Sequence, residues 1–306
     1  MQRYLLERSV QLVIVLFFLS VIVFTIVRLI PGDPAAIMLG TEATPQVMAQ
    51  IRREMGLDQP IVVQYVRWLR SVLAGNFGTS WVSKQPALGL ILGALPVTLQ
   101  LVASAFVVAL VIAFPAGIVA ALRPRSWIDH GSTTFALLGV SLPSFWLGIM
   151  LVLLFGVTLR WLPTSGYQNW TYLILPSITL AAYPTALVAR LTRSSMLEIL
   201  SRDYIRTGRA KGLAERAVIL RHALRNATIP VLTVIGIQIG ALLGGAVITE
   251  SVFAWPGMGK LVVDAIYSRD FPVVQTVLII SATIFVAINL LVDALYTVVD
   301  PRIRYR

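Results

Sequence analysis

From residue 85 to residue 122 the chain carries no charged side chain, and five further stretches, 9–27, 131–159, 161–189, 226–249 and 271–292, are equally bare. About 20 helical residues cross the roughly 30 Å hydrocarbon core of a bilayer, so each stretch is long enough to span it. A segment in lipid has to pair its own backbone groups, which favours helices over open strands. The expected fold class is therefore all-α, a polytopic membrane protein with six transmembrane helices. Composition agrees: 57% of the 306 residues are apolar and 13% charged, about half the charge of an ordinary soluble domain. The first stretch follows Arg3 and Arg8 but has no small-residue cleavage pattern, so it is read as a retained span. Pro96 is expected to mark the start of the second helix, because proline is favoured at the first helical position.

The basic residues set the expected orientation. With the N-terminus in the cytoplasm, sixteen Lys or Arg and six Asp or Glu fall inside, against nine and seven outside, and Asp293 lies in the last span. Excess Lys and Arg on the cytoplasmic side is the usual topological signal, so both termini are expected to be cytoplasmic. The net charge of +11 then reflects topology, and nucleic acid is not expected as a partner. There is no cysteine, which excludes disulfides, Cys-held zinc, iron–sulfur clusters and a thiol nucleophile.

Two segments outside the spans are long enough to have a task. In the first, Thr44 is placed to cap a helix opening on Pro45, with Val47, Ile51 and Met55 at helical spacing and Gly56 at its end. A second helix starts at Pro60, carries Ile61, Tyr65, Trp68, Leu69 and Val72, and stops at Gly75. The second segment, 193–226, alternates charged with apolar residues and is expected to form short amphipathic helices that turn at Gly208 and Gly212. The domain reading is an N-terminal transmembrane helix at 1–30, an extracytoplasmic helical region at 31–88, and a five-helix core at 89–306 that contains the loop 193–226.

An energy source is missing from the chain itself. Gly257-Met258-Gly259-Lys260 lacks the spacing of a phosphate-binding loop. Asp293, one turn after Asn289, is the one ionisable group within a span, and a local helix-end role suits it better than a proton relay. His130 and His222 sit in different loops, no hydrolase or zinc motif is present, and no catalytic or metal-ligating residues are expected. The driving force therefore comes from another chain, or the protein is an autonomous channel or ion-coupled carrier.

Small residues recur every four positions at Gly236, Gly240 and Gly244 and at Ala113, Gly117 and Ala121, ridges that let helices approach closely, whether within this chain or against a partner. Pro115, Pro143 and Pro184 permit bends in spans. Ser141, Ser144, Trp146 and Gln238 are candidates to line a translocation path, with ordinary interhelical hydrogen bonding as the alternative for each.

The segments 29–34, 56–60, 192–196, 203–212, 222–226 with Pro230, 255–259 and 300–302 occur in an order and spacing that resembles the membrane subunits of bacterial ATP-binding cassette (ABC) importers of the dipeptide, oligopeptide and nickel family, from end to end. The resemblance implies a type I, MetI-like transmembrane domain in the cytoplasmic membrane and no enzymatic activity in this chain. It implies partners: a second homologous permease, two ATP-binding subunits that hold ATP and Mg, a substrate-binding protein outside, and membrane lipid. It also places the coupling contact at Asp203, Tyr204, Arg206, Thr207, Gly208, Lys211 and Gly212. Where many importers carry Glu-Ala-Ala, three residues and Gly, this chain has Arg206, Thr207, Gly208 and then Gly212. Gly208 lowers helix propensity by about 1 kcal/mol relative to Ala, so a shorter or bent coupling helix is expected. Peptides are the leading expected substrate, with a nickel chelate or glutathione as alternatives.

Overall fold

A computed structural model describes residues 2–29, 44–54 and 56–299. The segment 30–43 and the terminal Asp300-Pro301-Arg302, both of which carry part of the family resemblance, lie outside the described residues, as do the side chains of Met55 and Asp293. Among the described residues there is no strand, only one isolated bridge between Thr79 and Pro86.

Four helices are long and apolar enough to cross a bilayer, and a sharply bent pair makes a fifth. Helix α1, Gln2–Leu29, with its apolar part at Leu12–Arg28, completes the expected six. The helices α2, Pro45–Glu54, and α3, Ile61–Leu73, stand where the sequence puts them. Thr44 Oγ1 accepts from Val47 N at 3.5 Å, and Gly75 ends α3 at φ +81°.

The chain forms two compact units, Met1–Pro96 with Lys260–Ala287, and Val97–Gly259 with Ile288–Arg306. In the first unit α3 lies along α1. Phe24 meets Tyr65 and Trp68 with ring centroids 5.3 and 5.5 Å apart, and the Ser20 and Tyr65 hydroxyls are 2.8 Å apart. The turn before α4 is tied to Asp270, whose carboxylate accepts from the Ser80 hydroxyl and from Trp81 N at 3.1 Å.

Helix α4, Ala87–Leu122, starts well before Pro96, so the expectation that this proline opens the helix is corrected. Pro86 takes that role: its carbonyl accepts from Leu90 N at 3.3 Å. Pro96 lies inside the helix, where a missing N–H is tolerated in lipid.

The second unit is built around α7, Ile174–Leu200. Of the most apolar window of this helix 61% is buried, against 28–39% in the other three long spans, so α7 is the helix most enclosed by this chain. The span expected at 131–159 is broken: α5, Trp127–Ser141, and α6, Ser144–Leu151 with a π-helical extension to Thr158, meet at 108°. Pro143, at the start of α6, cannot continue the preceding ladder. The span expected to start at residue 161 starts at Trp170 instead. Gly166, at φ +113°, turns the chain there, and Asn169 caps the following 3-10 turn by accepting from Thr171 N at 2.9 Å. At its other end α7 runs past 189 to Leu200, so 192–196 is helical.

The small-residue ridge of α4 packs on this chain's own α7. A Cβ at Gly117 would stand 2.6 Å from the Ala189 carbonyl oxygen and 2.7 Å from Thr192 Cβ, while Ala113 and Ala121 are buried. On α9, Arg225–Val252, Gly236 and Gly240 are buried whereas Gly244 faces open space.

Helix α9 leads into the Trp255-Pro256-Gly257 turn. Glu250 is fully buried there; its Oε1 accepts from the Thr98 hydroxyl at 2.6 Å and its Oε2 from Gly259 N at 2.7 Å. Thr98 Oγ1 accepts in turn from Met258 N at 2.8 Å. A side chain at Gly257 would overlap the Glu250 carboxylate. The glycines that mimic part of a phosphate loop thus make room for a buried acid. Helices α10, Met258–Tyr267, and α11, Phe271–Val299, complete the chain.

Candidate coupling interface and translocation cavity

Ser201 and Arg202 break α7, and α8, Asp203–Ala210, follows. Asp203 in its first turn and Arg209 in its last both suit the helix dipole. One side chain seats the helix: Ile205, 1% exposed, joins Met196, Val218, Ala223, Ala227 and Ala121 in one apolar cluster. The rest of α8 is bare. Asp203, Tyr204, Arg206 and Thr207 are exposed, as are Lys211 and Gly212 beyond its end, and Gly208 is half-buried.

The helix ends on a Schellman turn. Gly212 has φ +77°, its N–H donates to the Arg209 carbonyl at 3.0 Å, and Leu213 N donates to the Gly208 carbonyl at 3.3 Å. Nothing lies within 4 Å of a Cβ built at Gly212, so glycine is there for its conformation and not for space. The turn expected at Gly208 is not there: α8 runs through it to Ala210. Gly208 sits within α8, under Leu213, where a Cβ would touch Leu213 Cδ1 at an ordinary 3.4 Å.

The returning arm of the loop is clasped to α8. Arg209 donates twice to Glu215, at 3.1 and 2.6 Å. That bond holds the Glu215 carboxyl below its ordinary value and raises the Arg209 guanidinium, so what this exposed pair contributes is present at neutral pH and is lost as Glu215 protonates in acid. Asn226 Nδ2 donates to the Tyr204 hydroxyl at 3.1 Å and to the His222 carbonyl at 2.8 Å.

Next to this loop lies an ion pair that sequence reasoning missed. Arg193 on α7 grips the buried Asp129 carboxylate of α5 with both Nε and Nη2, the latter at 2.8 Å. Asp129 also accepts from Arg125 N at 2.9 Å. The available signal was an acid three residues after a capping serine, Ser126, whose hydroxyl accepts from Asp129 N at 3.3 Å.

Of the four path candidates, two come together. Ser144 and Gln238 line a cavity of about 240 Å³ beside Pro184, which also exposes Thr179 and Tyr183. Ser141 stands exposed at the α5–α6 break and Trp146 is 42% exposed; neither lines the cavity. Gln238 is only 6% exposed. No interhelical hydrogen bond holds its side chain or that of Ser144 among the described residues. Tyr183 could have been found as the one polar aromatic a residue away from the in-span proline.

α8 is thus a surface helix between long spans, seated by Ile205 and exposing a mixed polar face. Residues 113–305 match the family described as the binding-protein-dependent transport system inner membrane component, and residues 1–102 match the N-terminal region of the same kind of component.

The chain belongs to this family.

Glutathione transport system permease proteins GsiC of Salmonella paratyphi A and Escherichia coli are 45% and 44% identical to it, over the whole of both chains. Among solved structures, an inward-facing conformation of the MetNI methionine ABC transporter has the same fold, at TM-score 0.60 and 19% identity, over 70% of this chain and 98% of that one. The protein is thus a multi-pass permease subunit of an ABC importer of the dipeptide and oligopeptide type. ATP hydrolysis in such importers belongs to separate subunits.

Proposed function

We propose that α8 and its Gly212 turn are the contact through which two ATP-binding subunits, holding ATP and Mg, drive this permease. The observation that carries the reading is the pairing of one buried anchor, Ile205, with an otherwise bare face of Tyr204, Arg206, Thr207 and Lys211. A partner seated there pushes on the ends of α7 and α9 together, because Ile205 packs with Met196 of α7 and Ala227 of α9. To do work, that partner has to grip α8 differently in its open and closed states. The tilt that results alternates access to a path formed with a second, homologous permease chain. A binding protein delivers substrate from outside, and both termini face the cytoplasm.

The substrate class we assign is short peptides, with glutathione, itself a tripeptide and the substrate named for the full-length relatives, the first to test. The Gln238 amide both donates and accepts, and Tyr183 adds a hydroxyl, which suits a peptide backbone in an otherwise apolar cavity. In proteoliposomes with the partner subunits and the binding protein, Gly212→Val should cut glutathione uptake at least about tenfold while ATP hydrolysis continues. Survival of both uptake and substrate-stimulated hydrolysis would reject α8 as the coupling element. Uptake by the purified chain alone would reject the ATP-driven reading altogether.

A further inference from the structure

In the first compact unit the apolar part of α1 ends at Arg28 and the span of α11 begins at Phe271, and both ends line one cavity. Arg28, Arg67, Trp68, Trp81, Phe271 and Gln275 there line a cavity of about 340 Å³, within the size range of small-molecule sites. Its donors are under-used. Arg28 gives Nε and Nη2 to Gln64 Oε1, at 3.1 and 2.9 Å, and lies 3.5 Å over the Phe24 ring. Both contacts are with neutral groups. Arg67 lies against Gly56, where a Cβ would meet its Nη1, and it has no ion pair among the described residues. Gln275 is 9% exposed, and its Nε2 is buried without a hydrogen-bond partner. The nearby acid, Asp270, is engaged by Ser80, Trp81 and Val82. No carboxylate lines the cavity among the described residues.

Two guanidiniums with no carboxylate partner among the described residues, and an idle amide donor, suit an anion with several acceptor oxygens, the geometry of a phosphate group. The surroundings say where that phosphate comes from. On α3, beside the cavity, Val62 and Leu73 are 67% and 78% exposed, and Ile61 is 56% exposed. Two tryptophans in the cavity wall mark the level of a membrane–water boundary. We propose that this cavity binds the phosphate of an anionic phospholipid, with Arg28, Arg67 and Gln275 Nε2 as donors and the acyl chains lying over the apolar face of α3.

The test is native mass spectrometry of the full chain in detergent with equimolar phosphatidylglycerol and phosphatidylcholine. The wild-type chain should retain phosphatidylglycerol about tenfold over phosphatidylcholine. Arg67→Gln and Gln275→Leu should each reduce that preference to about twofold, whereas Arg160→Gln, an exposed charge elsewhere, should leave it unchanged. Gln275→Leu removes a donor that has no partner, so its lipid-free Tm should equal or exceed that of the wild type. Equal retention of the two lipids, or a preference untouched by both cavity variants, overturns the proposal. A millimolar inorganic phosphate arm separates the sources: displacement of the lipid by free phosphate, abolished by the same variants, would overturn the lipid assignment in favour of a soluble anion.

Discussion

Gly208 and Gly212 are four residues apart in one short helix, yet they answer to different physics. Gly212 adopts a left-handed conformation that costs an ordinary L-residue about 1–2 kcal/mol, and asparagine less. Gly212→Asn should therefore keep uptake near wild type, while Gly212→Val, β-branched, should show the uncoupling already described; transport and ATPase assays on the pair separate strain from bulk. Gly208 has ordinary helical backbone and room for a methyl group. Gly208→Ala should lengthen the lifetime of α8 at a gain of up to about 1 kcal/mol, readable as slower amide exchange from residue 205 to residue 211, with transport intact. Near-equal uptake by the Asn and Val variants would show that the turn's conformation has no part in coupling.

At the scale of elements, α8 has one buried apolar anchor, Ile205. Ile205→Ala removes the buried side chain that holds it, at a cost of about 2–5 kcal/mol. Limited proteolysis between Arg202 and Arg216 should accelerate strongly, while the long spans stay protected; unchanged cleavage would show that the Arg209–Glu215 and Tyr204–Asn226 bonds hold α8 without Ile205. What the sequence made legible follows the same logic. Thr44, Pro45, Gly56, Pro60 and Gly75 bound α2 and α3 to within a residue or two, because caps and left-handed glycines are local devices. The six bare stretches gave the spans for the same reason. The break at Pro143 was not legible as 108°, since proline permits a bend while packing sets its size. The late start of α7 escaped because Trp161 and its neighbours are apolar without being helical, and hydropathy does not distinguish a membrane-edge loop from a span. Of the candidate site, the exposed face of α8 came from the family resemblance and its anchor from packing. The pairing of Ser144 with Gln238, and the absence of Ser141 and Trp146 from the cavity, depended on a bend that no spacing rule reports.

For the molecule as a whole, the native sequence is a ready background for mapping sidedness, since it contains no cysteine. Ser83 and Ser201 are both exposed and lie on opposite sides in the proposed topology. A membrane-impermeant maleimide added to intact cells should label Ser83→Cys and spare Ser201→Cys, and inverted vesicles should reverse the result. Labelling of Ser201→Cys from outside would overturn the assignment of α8 to the cytoplasmic, ATP-facing side.

The corner where Thr98 and Glu250 receive the amides of Met258 and Gly259 has a consequence for how the protein comes apart. These two N–H groups stand at the start of a helix, a position that ordinarily frays and trades its protons with water first. Here each is sealed against a buried oxygen, so they should be among the last to take up deuterium. Thr98→Val would release the Met258 amide alone and leave a measurable gap in protection at a single bend of the chain.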